Sequence, residues 1–235
     1  MNSESDEALA EKAPRANPVS GELAVLLDFD GTLTVLDVGQ LVMHEFAEPG
    51  WHSSGGVKDA SFREHLEREC ETLPSNRADE IERFAIQRAE ARAGAVELVQ
   101  YCVDNSIPVE IVSGGLSNYI EPLLKHFGIP AIPISSLTAD FSQGTRAVTT
   151  YPDGVVMCDD AGACKCARVR LHKAAGRTVI YAGDGTSDFC VAREADMLFA
   201  RRTLADYCRE RDIPFTPFDS LQPVLDAVQS QYPAD

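Results

Sequence analysis

Short runs of consecutive apolar residues recur along this chain, separated by stretches whose apolar positions repeat every three or four residues. The runs at 23–28, 109–112, 131–134, 178–182 and 197–200 have the length and branched composition of strands buried on both faces. The helical spacing predicts helices over 95–105, 115–127, 164–175, 187–195, 204–211 and 221–230. Strand and helix alternate, which implies a parallel sheet covered on both faces. One interval departs from this pattern. Between the first strand and Val109 lie about 80 residues without a strand signal, too many for a strand-to-helix connection. Within it, Ile81, Phe84, Ala85 and Ala89 share a helical face behind caps at Ser75 or Asn76, and 59–71 reads as another helix. Residues 36–91 are therefore expected to form a helical cap, inserted into a core made of 22–35 and 92–235. The segment 138–158, with Gly144, Pro152 and Gly154, reads as a hairpin excursion. Residues 1–21 are polar and acidic, the composition of a disordered tail.

Composition narrows the function. A chain of 235 residues, 44% of them hydrophobic, suffices for one core plus an insertion. The formal net charge of −16 argues against a nucleic-acid partner, because phosphate backbones are bound by basic surfaces. No apolar run approaches a membrane span, and the first residues lack the basic-then-apolar pattern of a signal peptide. The seven cysteines are an odd number, which favours reduced thiols and a cytoplasmic location. Cys158, Cys164 and Cys166 do not follow a standard zinc spacing and are expected to be free thiols. No pattern fixes the oligomeric state.

The chemistry is concentrated where strands end. Asp28-Phe29-Asp30-Gly31-Thr32 follows the first apolar run, and Gly183-Asp184-Gly185-Thr186-Ser187-Asp188 follows the fourth. The carboxyl ends of parallel strands form the ligand crevice of an open sheet. Carboxylates crowded there destabilise one another unless a cation joins them. Oxygen-only ligands favour a hard ion, most simply Mg²⁺. A phosphate ester suits such a site, since one carboxylate can attack phosphorus while a second exchanges protons with the leaving oxygen and with water. Ser113-Gly114-Gly115, at another strand end, offers a hydroxyl and glycine amides to an anion. Lys165 opens the helix before the Asp184 strand, where one ammonium would balance the transferring group; Lys173, near that helix's far end, is its rival. Each piece alone also suits a helix cap, a turn or a solvated surface. Asp37, His44, Trp51 and His52 lie in the expected cap and are candidates for the substrate side.

Together, in this order and spacing, Asp28-Phe29-Asp30-Gly31-Thr32, Ser113-Gly114-Gly115, Lys165 and Gly183-Asp184-Gly185-Thr186-Ser187-Asp188 resemble the haloacid dehalogenase superfamily of phosphatases. The resemblance implies a Rossmann-like, doubly wound α/β core and an aspartyl-phosphate formed on Asp28 with Asp30 as acid and base. It implies Mg²⁺ held by Asp28, the Asp30 carbonyl and Asp184. It gives Ser113, Gly114 and Lys165 phosphate-binding roles and Asp188 a supporting one. A helical cap after the first motif is similar to the subfamily that includes phosphoserine phosphatase. The stretch from Cys158 to Cys166, and Leu198-Phe199-Ala200-Arg201 with Leu204 and Cys208-Arg209-Glu210, look like its methionine-salvage branch, which acts on a phosphorylated methylthio-ketose. Phosphoserine phosphatases usually carry serine where Gly31 stands and glutamate where Asp37 stands. The implied activity is Mg²⁺-dependent hydrolysis of a small phosphorylated metabolite. Phosphoserine hydrolysis, phosphotransfer, or a non-catalytic binding protein on the same fold are the alternatives.

Overall fold

The structure is a computed structural model that describes residues 22–51, 62–142, 144, 146–150 and 165–232. The expected tail and Cys158 and Cys164 lie outside the described residues. Leu23-Ala24-Val25-Leu26-Leu27 forms strand β1 (Leu23–Leu27), buried at every position. It is the middle strand of a seven-stranded sheet, flanked by β2 (Val109–Leu116) and β5 (Thr178–Gly183). Outside β2 lie β3 (Ile134–Asp140) and β4 (Arg146–Thr150), and outside β5 lie β6 (Met197–Ala200) and β7 (Thr216–Pro217). Leu27 stands level with Ile111 on one side and Ala182 on the other, so β1 and β5 end together at one rim, beside which β2 runs on to Leu116. The chain winds outward to β3 and returns on the far side of β1. That reversal opens a crevice at the rim.

Alternation along β1 sorts the core into two layers. Leu23, Val25 and Leu27 pack with Leu98 and Val99 of α4 (Ala95–Asp104), Tyr119, Ile120 and Leu123 of α5 (Ser117–His126), and Val224 of α8 (Gln222–Gln231). Ala24 and Leu26 face the other layer, with Val169 of α6 (Lys165–Ala174) and Leu204 and Cys208 of α7 (Arg202–Glu210). The long interval after β1 contributes α1 (Val38–Phe46), α2 (Phe62–Glu71) and α3 (Ala78–Arg88). Phe46 of α1 meets Phe84 of α3 edge-on with centroids 5.3 Å apart. Among the described residues no helix is long and apolar enough to cross a membrane.

Four expectations need correction. The sheet is not wholly parallel, because β4 runs antiparallel to β3 at one edge; the excursion expected after residue 138 begins as this hairpin. The third strand starts at Ile134, not 131, since Pro130 and Pro133 cannot donate to a ladder. The glycines after Ser113 extend β2 instead of opening a helix, with a register shift between Val112 and Leu116. The stretch after Ser187 is a 3₁₀ turn, Thr186–Val191, drawn tight by the Asp188 carboxylate, which accepts from the amides of Asp184 and Gly185. The two-residue β7, carrying a proline at the edge, gave no periodic signal.

A buried ion pair fixes α6 against the sheet. Glu110 of β2 accepts from Arg168 through both carboxylate oxygens, at 2.7 Å each. Ser135 of β3 donates to it at 2.6 Å, and His172 lies 3.2 Å away. Burial pushes the Glu110 carboxyl up, but the hydrogen bonds from His172, Arg168 and Ser135 outweigh it and hold the group below its ordinary value of 4.5. The folded-state value is depressed, so this stabilisation is complete above the ordinary glutamate value and is lost as the pH falls from there through the lower folded-state value. Glu110→Gln is expected to cost about 3 kcal/mol near neutral pH by leaving the Arg168 charge unpaired, a fall in Tm of roughly 6–12 °C for a domain of this size. It should also flatten the acid limb of a Tm-against-pH plot. An unchanged melting temperature would contradict this role.

Candidate active site

The turn after β1 is held from several sides. The Asp28 amide continues the sheet by donating to the Ala182 carbonyl at 2.9 Å, and Thr32 Oγ1 donates to Asp28 Oδ2 at 3.1 Å. Gly31 has φ +74°, and a Cβ there would lie 2.3 Å from Asp184 Oδ2. No other residue allows the two acidic turns to approach so closely. Arg92 is buried and donates to the carbonyls of Thr32, Gly31 and Thr34 at 2.6, 2.7 and 2.9 Å. Arg201 Nη1 adds a second bond to the Gly31 carbonyl at 2.9 Å. Sequence reasoning missed the roles of both arginines. Arg92 is a lone basic residue among small neighbours, with no spacing that marks it.

Lys165 is the hub of the floor. It is fully buried, and its Nζ reaches Asp28 Oδ1 at 2.6 Å and Asp188 Oδ1 at 2.7 Å. Burial lowers the pKa of the ammonium, but Asp188 and Asp28 outweigh it and keep Lys165 charged. The rival Lys173 is instead spent at the surface on Asp196 and the Glu194 carbonyl. Asp188 is saturated: Tyr181 OH shares its Oδ1 at 2.6 Å, and its Oδ2 takes the two amides already described. Burial pushes Asp28 well above the ordinary carboxylate range; Lys165 pulls it down, while Asp188 and Asp184 raise it further. Burial and Asp188 likewise raise Asp184 to about 6, against Arg202 and Lys165.

Burial causes most of these shifts, and the crowding of carboxylates adds to them. Carboxylate oxygens of Asp28, Asp184 and Asp188 all lie within 4.8 Å of one another. Three carboxylates outnumber the buried Lys165, and Arg202 meets only Asp184, from the rim, so negative charge is in excess on this floor. A divalent cation relieves that excess, and the donors are all oxygen, as Mg²⁺ prefers. Asp188 has its acceptors occupied, so Asp28 and Asp184 are the carboxylates that fit an ion.

Asp30 faces the same cleft from the other side. Its Oδ1 accepts from the amides of Val38 and Gly39 at 2.9 and 3.1 Å, at the start of α1. Its Oδ2 accepts from Tyr119 OH at 2.6 Å. Burial, with the charge of Asp37, raises the carboxyl to about 7 against the pull of these donors. Ser113 is buried within β2, where its Oγ accepts from the Gly115 amide at 2.9 Å. That bond uses an acceptor lone pair and keeps the hydroxyl hydrogen for an anion. Gly114 lines the cleft beside it. Asp37 caps α1 by accepting from the Gln40 amide at 2.8 Å, and it also lines the cleft. Cys166 is buried in the core next to α6's own Val169. His52 lies outside the described residues, while His44 packs edge-on against Trp51, centroids 5.4 Å apart.

The cleft has a volume of about 620 Å³. Asp28, Asp30, Asp37, Ser113, Gly114 and Asp184 all line it; Lys165 and Asp188 lie beneath. The structure thus brings together residues separated by up to 160 positions. The wall supplied by the inserted helices is largely apolar, with Val42, Met43, Trp51 and Cys70 beside Gln40 and Glu69. Burial pushes the Cys70 thiol up to about 12, so it behaves as an apolar group. Arg202 stands at the rim with φ +45° and its Nη1 3.5 Å from Asp184 Oδ2.

Comparison with known proteins agrees with this geometry. The model of the haloacid dehalogenase-like hydrolases matches residues 25–193. A 2-hydroxy-3-keto-5-methylthiopentenyl-1-phosphate phosphatase of Brevibacillus brevis is 32% identical over 219 residues, which are 90% of this chain and 97% of that protein. A Bacillus cereus protein of the same name is 32% identical over 210 residues, 86% of this chain and 94% of its own. Among solved structures, a phospho-aspartyl intermediate analogue of phosphoserine phosphatase superposes with a TM-score of 0.61. At 17% identity, over 88% of this chain and 99% of that one, it speaks for the fold. The motifs, the sheet order and the match across most of the chain lead to one conclusion: this chain belongs to the haloacid dehalogenase-like hydrolase family.

Proposed function

We propose that this chain is a Mg²⁺-dependent phosphomonoesterase that works through an aspartyl-phosphate on Asp28. The observation that carries the reading is a carboxylate on the floor of the cleft, salt-bridged to the buried Lys165, with a second carboxyl, Asp30, raised to about 7 on the opposite side. Two acids held in unlike surroundings suit unlike roles. An Asp28 carboxylate oxygen attacks phosphorus and the ester P–O bond breaks. The leaving oxygen keeps the bond's electron pair and takes the proton of Asp30. Asp30, now a carboxylate, removes a proton from water as the water oxygen attacks the acyl phosphate. Inorganic phosphate leaves, Asp28 is a carboxylate again and Asp30 is reprotonated. Ser113, the Gly114 amide and Lys165 hold the phosphoryl oxygens; Asp188 holds Lys165. Asp28, Asp184 and the main-chain carbonyl of Asp30 would hold Mg²⁺, which when bound offsets the negative charge of the phosphoryl group.

For the substrate we propose a small phosphorylated metabolite, a methylthio-ketose phosphate in first place. Val42, Met43, Trp51 and Cys70 give its thioether an apolar wall, and relatives 32% identical along most of their length carry that substrate in their names. Phosphoserine is the second reading, favoured by Arg202, which lines the cleft and suits a carboxylate, whereas Asp37 is shorter than the glutamate usual at that position. Residues 36–91 would then act as a cap that excludes water and larger esters. No disulfide joins the five described cysteines, and a cytoplasmic setting is part of this proposal. A phosphate-release assay with the two substrates tests the choice: kcat/KM should favour the methylthio-ketose phosphate by about 100-fold or more, some 3 kcal/mol of differential binding. A preference for phosphoserine would reverse the assignment.

A further inference from the structure

We infer that Tyr119 is a positioning residue for proton transfer by Asp30, an inference that rests on the acid and base role proposed for Asp30. Tyr119 comes from α5 in the core, whereas the amides on Asp30 Oδ1 come from α1 in the insertion. The two amides occupy Oδ1, so the proton that Asp30 delivers sits on Oδ2, the oxygen that Tyr119 OH touches at 2.6 Å. The ring is 1% exposed. Its hydroxyl fits a notch between two glycines of different elements. A Cβ on Gly115 would lie 2.1 Å from the hydroxyl and 2.5 Å from Asp30 Oδ2, and one on Gly39 would lie 2.8 Å from the hydroxyl. Side chains are thus absent where they would displace this one contact.

The bond has a chemical consequence. Tyr119 donates to Oδ2 as a neutral acid group and donates more strongly once the proton has left and a carboxylate remains, because hydrogen bonds to ions are stronger. It therefore favours proton delivery to the leaving oxygen and fixes the carboxyl plane that aims the proton. Esters that need protonation to depart depend on it; esters whose alkoxide equivalent is already a stable anion depend on it less.

The test compares kcat/KM, which reports the step in which the leaving group departs, for an alkyl phosphate and for para-nitrophenyl phosphate. Tyr119→Phe removes the hydroxyl and keeps the ring. It should lower kcat/KM for the alkyl ester on the order of ten- to a hundredfold, the weight of a hydrogen bond to an ion, and at least about fivefold more than for the nitrophenyl ester. Asp30→Asn, run in parallel, should show the same ordering with larger losses. Equal losses for both esters in Tyr119→Phe, with the ordering kept in Asp30→Asn, would overturn the inference and leave the role of Asp30 standing. No ordering in Asp30→Asn would overturn both. Should Tyr119→Phe not fold, Gly39→Ala displaces the same hydroxyl, and its two losses decide in the same way.

Discussion

Asp28→Asn is expected to lower kcat by on the order of 10⁴-fold or more, the scale at which enzymes lose their nucleophile. The carboxamide nitrogen and oxygen are poor nucleophiles toward phosphorus, and no neighbouring carboxylate stands in. Asp188 has every acceptor occupied by Lys165, Tyr181 and two amides, and Asp184 is drawn toward Arg202 of the rim. The fold should survive. Lys165 keeps Asp188 at 2.7 Å, and the substitution removes one of three carboxylates from an overcharged floor. Metal-free Asp28→Asn should therefore melt no lower than the metal-free parent. Phosphate release measured with the best substrate, beside a melting curve, gives both results. Near-parental turnover in the variant would rule out attack by Asp28.

Chelation should have an effect of similar size. Protein stripped with EDTA is expected to be inactive, and Mg²⁺ is expected to restore it. Ca²⁺, which prefers more ligands and looser geometry, should restore it poorly. The same charge excess gives a readout independent of turnover. An ion that relieves this excess binds the folded state alone, so Mg²⁺ at about 100 times its Kd should stabilise the protein by about 2.7 kcal/mol, roughly 5–10 °C in Tm. Asp184→Asn should abolish most of that shift, because Asp28 and Asp184 are the two carboxylates with acceptors to spare. Full activity in metal-free protein, or an undiminished Mg²⁺ shift in Asp184→Asn, would contradict the assignment of the metal site.

Much of this was legible in the sequence. The apolar runs at 23–28, 178–182 and 197–200 fall on β1, β5 and β6 within a residue at either end, because strands buried on both faces must be apolar throughout. Asp28 and Asp184 could be singled out because strand ends are local signals, and a parallel sheet brings its carboxyl ends to one rim, whereas Ser113 lies inside β2. The long insertion announced itself by its length. Lys165 could be singled out only through its place in the order of motifs, not through any pattern around it.

The tertiary structure decided which polar groups meet. Tyr119 bonds to an acid 89 positions away, Arg92 to a carbonyl 60 away and Arg201 to one 170 away. Glu110 sits in an apolar strand and is tolerated there because Arg168, 58 positions on, matches both of its oxygens. Hydrophobic periodicity records which face of an element is buried, since burial depends on a residue's own chemistry. The partner of a buried polar group is set by the packing of distant elements, and its energy exists only after water has been excluded. The sequence therefore determined the strands, the rim and the acids that could gather there. Folding alone decided that Lys165 joins Asp28 to Asp188, that two arginines clasp the turn at Gly31, and that Tyr119 bonds to Asp30.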